Sequence, residues 1–367
     1  MIKILVVIGT RPEAIKMAPL IVELKNHYEQ IETVILTTAQ HRGMLDQMLD
    51  VFKILPDYDL DIMTDNQSLS SVTSKILSGM DVIIRTEGPS MILVQGDTTT
   101  TFAASLAAFY HKVKIGHIEA GLRTNDKYNP FPEEMNRTLV SALADLHFAP
   151  TEWTRDNLLK QGISHEDITV TGNTVIDALF QILEQNCQLD VDLTLNEDKL
   201  ILVTAHRREN FGRPLTNICE AIKLLLQRHS DIEVIYPVHP NPNVAEIVYT
   251  KLGKQHRVHL IEPANYASFV HLMNRSYLIL TDSGGVQEEA PSLGKPVLVL
   301  RSETERPEGI EAGTVKLVGT DVESIIANVE TLLLNEREYL RMSKASNPYG
   351  DGRASIRIVE AILDHYN

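Results

Sequence analysis

Charged side chains recur in this chain immediately after short apolar runs, at the points where strands are expected to end. Arg11 and Lys16 follow the run IKILVVI in the segment GTRPEAIK. Gly9 suits a tight turn there, and Pro12 suits the first turn of a helix. Two cations near a helix N-terminus are unfavourable unless an anion lies beside them, because the helix dipole is positive at that end. The segment therefore predicts an anion-binding turn, with two solvated surface cations as the alternative.

Carboxylates occupy three further positions of this kind. Asp97 follows MILVQ, Glu119 follows KIGHI, and Glu133 opens a predicted helix after NPFP, with Arg137 one turn later on the same face. Each acid alone fits a helix cap or a solvated carboxylate in a first turn. If the three acids converge on one rim of a sheet, acid–base chemistry becomes the better interpretation.

Histidines and arginines occupy the corresponding positions in the second half of the chain. His206 and Arg207 follow LILVTA, His239 follows IEVIYPV, and Arg306 lies in RSETERPEG after another apolar run. A single histidine at such a position is more often structural, but His206 stands beside two arginines. Together these cations predict that the second half also receives an anion.

The segment TDSGGVQEEAPSLGKP (281–296) ends an apolar run on small polar residues and two glycines. Gly284 and Gly285, after Ser283, allow a ligand to approach the backbone closely, and amides at the start of a helix bind phosphate oxygens. Glu289 lies about 9 Å further along such a helix. A nucleoside diphosphate at the turn would place its ribose hydroxyls near this carboxylate. A capped helix with a solvated acid is the alternative.

Strands and helices alternate along the chain in two sets. Strands are predicted at 2–8, 33–38, 91–95, 114–118 and 146–150, and again at 200–205, 232–238, 257–261, 277–281, 296–300 and 314–318. Helices are predicted at 13–28, 42–51, 68–86, 99–110, 133–143 and 152–161, and at the end of the chain at 354–366. This alternation is typical of α/β proteins with doubly wound parallel sheets.

The sequence therefore predicts two Rossmann-like domains with a boundary near residue 172. Residues 1–172 form the N-terminal domain, which carries the predicted catalytic acids. Residues 173–352 form the C-terminal domain, which carries the predicted nucleotide site. Ligands of such sheets bind outside the carboxyl ends of the strands, so we expect the active site in the cleft between the domains.

The composition limits the classes of function that fit. The chain has 367 residues and a formal net charge of −15, which argues against binding along a nucleic-acid backbone. Its only cysteines, Cys187 and Cys219, give no disulfide framework, so we expect a cytoplasmic protein. No apolar run is long enough for a membrane helix, and neither a dinucleotide fingerprint nor a metal motif occurs. We expect no membrane partner, no cofactor and no metal.

Several segments, in this order along the chain, resemble the non-hydrolysing UDP-N-acetylglucosamine (UDP-GlcNAc) 2-epimerases of bacteria. They are GTRPEAIKMAPL, GDTTTT, EAGLRT, PEEMNR, TAHRREN, DSGGVQEEAPSLGKPVLVLR and TERPEG. The resemblance spans essentially the whole chain. It implies two Rossmann-like domains in the GT-B arrangement, with the last helix crossing back so that residues 353–367 join the N-terminal domain. It also implies a homodimer and reversible conversion of UDP-GlcNAc to UDP-N-acetylmannosamine (UDP-ManNAc) for cell-envelope polysaccharides.

The resemblance also implies roles for individual residues. The residues matching the family's catalytic set are Lys16, Asp97, Glu119, Glu133 and His206. The residues matching its UDP-binding set are Arg11, Phe269, Ser283, Gly284, Gly285, Glu289 and Arg306, with Phe269 near the uracil and Glu289 on the ribose. In relatives a second substrate molecule binds at an activating site, which Gln40, Arg207 and His239 match.

The substrate itself suggests the mechanism. The proton on carbon 2 of the sugar becomes acidic enough to remove only when UDP leaves carbon 1, so we expect elimination to 2-acetamidoglucal and re-addition of UDP. A hydrolysing 2-epimerase and a GT-B glycosyltransferase that uses UDP-sugars share the same nucleotide site and remain alternatives. A catalytically silent UDP-sugar sensor is a third, although a sensor needs no proton-transferring acids.

Overall fold

The computed structural model describes residues 1–39, 42–64, 67–185 and 199–366 of the chain. The chain forms two compact units, Met1–Gln181 with Tyr349–Asn367 and Ile182–Pro348. Each unit contains a parallel sheet whose strands are connected through helices. The expected fold class, two Rossmann-like α/β domains, is therefore confirmed.

The described strands of the first unit form one parallel sheet in the order β3-β2-β1-β4-β5-β6-β7. Their bounds are Ile2–Ile8 (β1), Ile31–Thr37 (β2), Tyr58–Asp59 (β3), Met91–Gln95 (β4), Lys114–Ile118 (β5), Leu146–Ala149 (β6) and Ile168–Val170 (β7). Residues 4–8 of β1 are buried, as expected for a central strand of a parallel sheet covered on both faces.

The helices of the first unit include the last helix of the chain. Their bounds are Arg11–Asn26 (α1), Arg42–Val51 (α2), Leu69–Glu87 (α3), Thr99–Tyr110 (α4), Glu133–Leu143 (α5), Glu152–Lys160 (α6), Thr174–Leu183 (α7) and Ala354–Tyr366 (α15). Helix α1 begins with Thr10 as its N-cap and Pro12 in its first turn, and Glu13 completes a capping box. The sequence GTRPE therefore marks the beginning of this helix, with Thr10 as its N-cap.

The second unit repeats this architecture with the strand order β10-β9-β8-β11-β12-β13. The strands are Lys199–Thr204 (β8), Ile232–Pro237 (β9), Val258–Ile261 (β10), Leu278–Thr281 (β11), Val297–Val299 (β12) and Val315–Leu317 (β13). The helices are Arg213–Arg228 (α8), Pro242–Leu252 (α9), Tyr266–Arg275 (α10), Gly284–Glu289 (α11), Pro307–Glu311 (α12), Val322–Leu334 (α13) and Glu336–Ser343 (α14). The described part of the chain has no helix that could cross a membrane.

The strand order reverses once in each sheet, at a switch point. In the first unit the reversal lies between β1 and β4, whose ends lead into residues 9–11 and 96–97. In the second unit it lies between β8 and β11, whose ends lead into residues 205–206 and 282–283. Open parallel sheets bind ligands outside the strand ends at such reversals. Both switch points therefore fall on the segments that the sequence singles out.

Two strands are absent from the sequence prediction. Strands β3 and β7 contain two and three residues and lie at opposite edges of the first sheet. Runs of this length are too short to show a period of apolar residues. All the predicted strands, and each helix with predicted bounds, are confirmed. Their predicted limits agree with those in the structure within two residues.

The C-terminal helix belongs to the first unit because of a buried carboxylate. Asp177 of α7 accepts hydrogen bonds from the backbone amides of Ala354 (3.2 Å) and Ser355 (2.7 Å) in the first turn of α15. Helix α15 packs against α1. The division between the units lies at Gln181, near the end of α7, whereas the sequence-based boundary near 172 lies just before this helix.

Replacing Asp177 by alanine should loosen α15, because two amides of its first turn lose their acceptor. Loss of such a cap costs about 1 kcal/mol, which is roughly a fivefold change in an opening equilibrium. We expect amide hydrogen exchange in the middle of α15 to become about five times faster in Asp177→Ala. Asp364→Ala is the control, because Asp364 lies exposed on the same helix. Equal exchange in the two variants would contradict this role.

Candidate functional site

A buried carboxylate, Glu13, joins the two loops at the switch point of the first unit. Its Oε2 accepts hydrogen bonds from the backbone amides of Gly9 (2.7 Å) and Thr10 (2.6 Å). Its Oε1 accepts hydrogen bonds from the hydroxyls of Thr98 (2.6 Å) and Thr101 (3.1 Å). Burial raises the pKa of Glu13, although these donors oppose the shift. The carboxylate thus fixes the loop after β1 to the loop after β4.

Arg11 is presented by the first of these loops. It is the first residue of α1, is half-buried, and has no hydrogen bond or ion pair within the described ranges. The turn before it must be tight, since a Cβ on Gly9 would lie only 2.2 Å from Thr100 Oγ1. This geometry leaves the guanidinium available to a ligand, and anion binding by Arg11 stays a prediction.

Glu119, at the end of β5, is surrounded by donors. Its Oε1 accepts hydrogen bonds from Lys16 Nζ (2.5 Å) and from Asn173 Nδ2 (3.0 Å), and its Oε2 accepts one from Gln95 Nε2. The residue is only 8% exposed and has a positive φ of 63°. The structure therefore brings two predicted catalytic residues, Lys16 and Glu119, into one partly buried ion pair.

Asp97 is held by an arginine. Arg137 donates from Nε (2.9 Å) and lies 2.7 Å away through Nη2, both measured to Asp97 Oδ2. Asn136 Nδ2 donates to the backbone carbonyl of Asp97 at 2.8 Å. The same Arg137 reaches Glu134 Oε2 through Nη1 at 3.2 Å. Arg137 therefore bridges Asp97 and Glu134.

Glu133 and Glu134 differ in their surroundings although they are neighbours. Glu134 is buried and accepts hydrogen bonds from the backbone amides of Thr124 (3.0 Å) and Asn125 (2.9 Å). Burial alone would raise the pKa of Glu134, but these amides and Arg137 lower it overall. Glu133 is half-buried and has no hydrogen bond or ion pair to any described residue. Of the two acids, Glu133 is therefore the one available to a ligand.

In the second unit, His206 lies directly beyond β8. Its ring stacks on that of His239, with centroids 5.4 Å apart and planes 15° apart. Its Nδ1 lies 3.7 Å from Oδ1 of the buried Asp282. Burial lowers the pKa of His206, whereas the charge of Asp282 acts in the opposite direction. The structure thus brings together two histidines from different strand ends, and Asp282 lies beside one of them, His206.

Arg306 lies against the glycine turn after β11. A Cβ on Gly284 would be 2.5 Å from Arg306 Nη1, so the guanidinium contacts the backbone there. Arg306 donates from Nε to Glu288 Oε1 (2.5 Å) and from Nη1 to Glu305 Oε1 (2.8 Å). The amide of Ser283 is bonded to Thr281 Oγ1 at 2.9 Å. The first of the paired acids in the glycine segment therefore anchors Arg306.

The second of these acids, Glu289, faces a different set of residues. Its Oε1 accepts a hydrogen bond from the hydroxyl of Tyr266 (2.7 Å), and its Oε2 lies 3.4 Å from the position of a Cβ on Gly285. Phe269 is half-buried three residues after Tyr266 on α10, which places the two on the same face of that helix. The structure thus groups Glu289 with Gly285 and Tyr266, and Phe269 lies on the neighbouring turn.

One carboxylate, Glu305, connects the arginines of the second unit. It accepts hydrogen bonds from Arg301 Nη1 (2.7 Å) and Arg306 Nη1 (2.8 Å), and Arg207 Nη2 lies 3.6 Å from it. Burial alone would raise the pKa of Glu305, but Arg306 and Arg301 lower it to about 2. Glu305 is therefore an internal anion for arginines that could otherwise bind a phosphate.

Two candidates for the activating site can be compared with the structure only in part. Gln40, a candidate for the activating site, lies outside the described residues. His239 is exposed, and its Nδ1 accepts a hydrogen bond from the amide of Asn241 at 3.1 Å. Among the residues described, no group of three or more His, Cys, Asp or Glu side chains could hold a metal ion.

Sequence reasoning missed several residues that shape these sites. Glu13 could have been identified from the sequence, because Thr10 and Glu13 form a capping-box pattern. Asp282 could also have been identified, because it lies at the end of an apolar run. No local sequence pattern identifies Gln95 and Asn173, since each reaches Glu119 across a large separation along the chain. Only the folded structure shows the hydrogen bonds that these two residues make.

Comparison with known proteins gives a consistent result. The family model described as UDP-N-acetylglucosamine 2-epimerase matches residues 23–363. The UDP-N-acetylglucosamine 2-epimerase of Bacillus subtilis (strain 168) is 56% identical over 365 residues, which cover 100% of this chain and 96% of that protein. The enzyme of the same name from Escherichia coli (strain K12) is 54% identical over 373 residues, covering 99% of each chain.

A solved structure agrees with these relatives. The crystal structure of UDP-GlcNAc 2-epimerase from Neisseria meningitidis bound to UDP-GlcNAc matches with a TM-score of 0.88 and 51% identity. The match covers 99% of this chain and 100% of that one. The chain belongs to the UDP-N-acetylglucosamine 2-epimerase family, and it is an enzyme of that activity.

Proposed function

We propose that the chain interconverts UDP-GlcNAc and UDP-ManNAc without hydrolysis, by eliminating UDP and adding it back to 2-acetamidoglucal. Membership of the family supports the substrate. The observation that carries the mechanism is the ion pair of Glu119 with Lys16 (2.5 Å) at one strand end of the first unit. It provides a charged carboxylate and a cation in a site that is largely shielded from water.

The elimination and the re-addition balance with the substrate and the carboxylates of the protein alone. The bond between carbon 1 and the phosphate oxygen breaks, and its electron pair leaves with UDP. A carboxylate takes the proton from carbon 2, and a double bond forms between carbons 1 and 2. In the return step a proton reaches the opposite face of carbon 2, and the phosphate oxygen attacks carbon 1 again. The sequence of steps is redox-neutral, so it consumes no electron acceptor.

The proton transfers are assigned to Asp97, Glu119 and Glu133. Lys16 stabilises the negative charge of Glu119, which suits a base, and Arg137 fixes the carboxylate of Asp97 at 2.7 Å. Glu133 has no partner in the described structure and can turn toward a ligand. Two acid–base groups on opposite faces of carbon 2 are required, and these three acids provide them.

Stabilisation of the departing UDP is assigned to cations and to backbone amides. In this proposal Arg11, Arg306 and His206 meet the diphosphate, together with Ser283, Gly284 and Gly285. Charge develops on this group as the bond to carbon 1 breaks, so fixed donors there lower the barrier. Glu289 binds the ribose and Phe269 contacts the uracil. The contact of Arg306 with Gly284 supports this grouping, since it places a cation at the glycine turn.

Further parts of the proposal concern assembly and regulation. We assign the chain to the cytoplasm as a homodimer that supplies ManNAc for cell-envelope polysaccharide. Arg207 and His239, with Gln40, are assigned to a site where a second substrate molecule activates the enzyme. The stacking of His239 on His206 supports a connection between activation and catalysis, because it joins a residue of each set.

Incubation with UDP-GlcNAc in deuterated water tests the reaction itself. We expect a mixture of UDP-GlcNAc and UDP-ManNAc that carries deuterium at carbon 2, because the proton removed exchanges with solvent before it is replaced. NMR and mass spectrometry of the recovered sugars measure this. Free ManNAc would indicate a hydrolysing enzyme, and recovery of unexchanged UDP-GlcNAc alone would reject the proposal.

Glu119→Gln should abolish this exchange, because the amide cannot accept the proton. Loss of an acid–base group lowers the rate by about 10²–10⁴. Binding of UDP, measured by calorimetry, should change little, since the residues assigned to UDP lie elsewhere. Glu29→Gln serves as the control for an exposed acid of the same unit. Exchange at the normal rate in Glu119→Gln would remove this residue from the mechanism.

Glu305→Gln should bind UDP more tightly than the unmodified protein. Glu305 competes with a phosphate for Arg306, and the amide removes that competing charge. Because exposed ion pairs contribute about 0.2–1 kcal/mol, we expect Kd to fall by about 1.4-fold to fivefold. Glu303→Gln is the matched control, since Glu303 is exposed in the same loop. Unchanged or weaker binding in Glu305→Gln would show that Glu305 does not compete with the ligand.

A further inference from the structure

Asp282 is a fully buried carboxylate at the switch point of the second unit. It has 0% exposure and directly follows β11. Its Oδ2 accepts three hydrogen bonds, from the backbone amides of His206 (2.8 Å) and Arg207 (2.8 Å) and from Asn210 Nδ2 (2.9 Å). One oxygen of this carboxylate therefore holds the whole loop after β8.

The other oxygen of Asp282 has a different environment. Within the described structure Oδ1 is buried and has no hydrogen-bond partner. A buried carboxylate oxygen without a donor is unfavourable, so its presence calls for a reason. The imidazole Nδ1 of His206 lies 3.7 Å from it. This distance is slightly too long for a hydrogen bond, and catalytic hydrogen bonds are often long before a ligand binds.

The fold restricts where the imidazole can go. Strands β8 and β11 are adjacent, with Thr281 opposite Thr204, so His206 and Asp282 leave the sheet side by side. The ring of His239 stacks on that of His206 with centroids 5.4 Å apart. A small movement of the His206 ring within this stack is enough to close the gap to Asp282.

We propose that Asp282 is a positioning residue that accepts a hydrogen bond from Nδ1–H of His206 and so presents Nε2–H of the protonated ring to the departing diphosphate. This inference rests on the proposed role of His206 in UDP departure. The hydrogen bond fixes the Nδ1–H tautomer and the direction of the ring, as a carboxylate does for other histidines that act through Nε2. The negative charge also stabilises the protonated ring.

The direction of a pH effect follows from the groups around His206. These are Asp282, His239 and Arg207, together with burial of the ring. Burial, His239 and Arg207 all lower the pKa of His206, and Asp282 raises it. Removing the charge of Asp282 should therefore shift the protonation of His206 to lower pH.

NMR of the unmodified protein with ¹⁵N-labelled histidine gives the first test. We expect His206 to carry its proton on Nδ1 when neutral, with Nε2 unprotonated. A proton on Nε2 instead would overturn the proposal without any substitution. This measurement does not depend on activity, so it remains decisive even if the proposed function fails.

A double-mutant cycle gives the second test. Asp282→Asn should lower kcat by about 10–100-fold, as loss of an orienting partner does, and should move the histidine limb of the pH profile to lower pH. In a His206→Gln background, Asp282→Asn should have no further effect on kcat. Equal losses in both backgrounds would mean that Asp282 supports only the loop, and would overturn the inference.

A control variant distinguishes an effect on the loop after β8 from an effect on the imidazole ring of His206. Asn210→Ala removes one donor to Oδ2 but leaves Oδ1 and His206 in place. We expect the histidine limb of its pH profile to stay where it is, and a shift equal to that of Asp282→Asn would contradict the proposal. If His206→Gln alone retains full activity, the proposed role of His206 fails, while the NMR result still decides whether Asp282 orients the ring.

Discussion

Buried carboxylates that each accept two backbone N–H groups hold the loops of both units. Glu13 holds the turn after β1, and Asp282 holds the loop after β8. Glu134 holds the segment before α5, and Asp177 holds the start of α15. Backbone amides at strand ends and helix starts lack partners of their own, and a buried acid that satisfies two of them fixes the local path of the chain. The arrangement of candidate catalytic groups depends on these anchors.

The acids at the strand ends therefore fall into two kinds. Glu13 and Asp282 point at the backbone, so their charge is used to fix a loop. Glu119 and Asp97 are paired with the side chains of Lys16 and Arg137, which keeps a carboxylate at the rim of the sheet. The distinction is electrostatic, because an acid bonded to amides loses freedom to meet a ligand, whereas one bonded to a side-chain cation can exchange partners.

The alternation of apolar runs predicts most of the fold, because parallel strands buried on both faces are continuous in sequence. It fails for β3 and β7, which are too short to form a pattern. Local spacing places Arg137 one turn after Glu133, but it does not show that the guanidinium binds Glu134 and Asp97, because Asp97 comes from a distant strand end. The partners Gln95 and Asn173 reach Glu119 from elsewhere in the chain, so no local signal could give them.

The attachment of α15 through Asp177 makes the first unit discontinuous along the chain, with residues 182–348 inserted between its two parts. During synthesis residues 182–348 are therefore translated before the helix that completes the first unit. Until then the face of α1 that α15 later covers has no cover. The nascent first unit is thus incomplete while the second unit is translated, and the surface of α1 beneath α15 is covered only after residues 354–366 have been made.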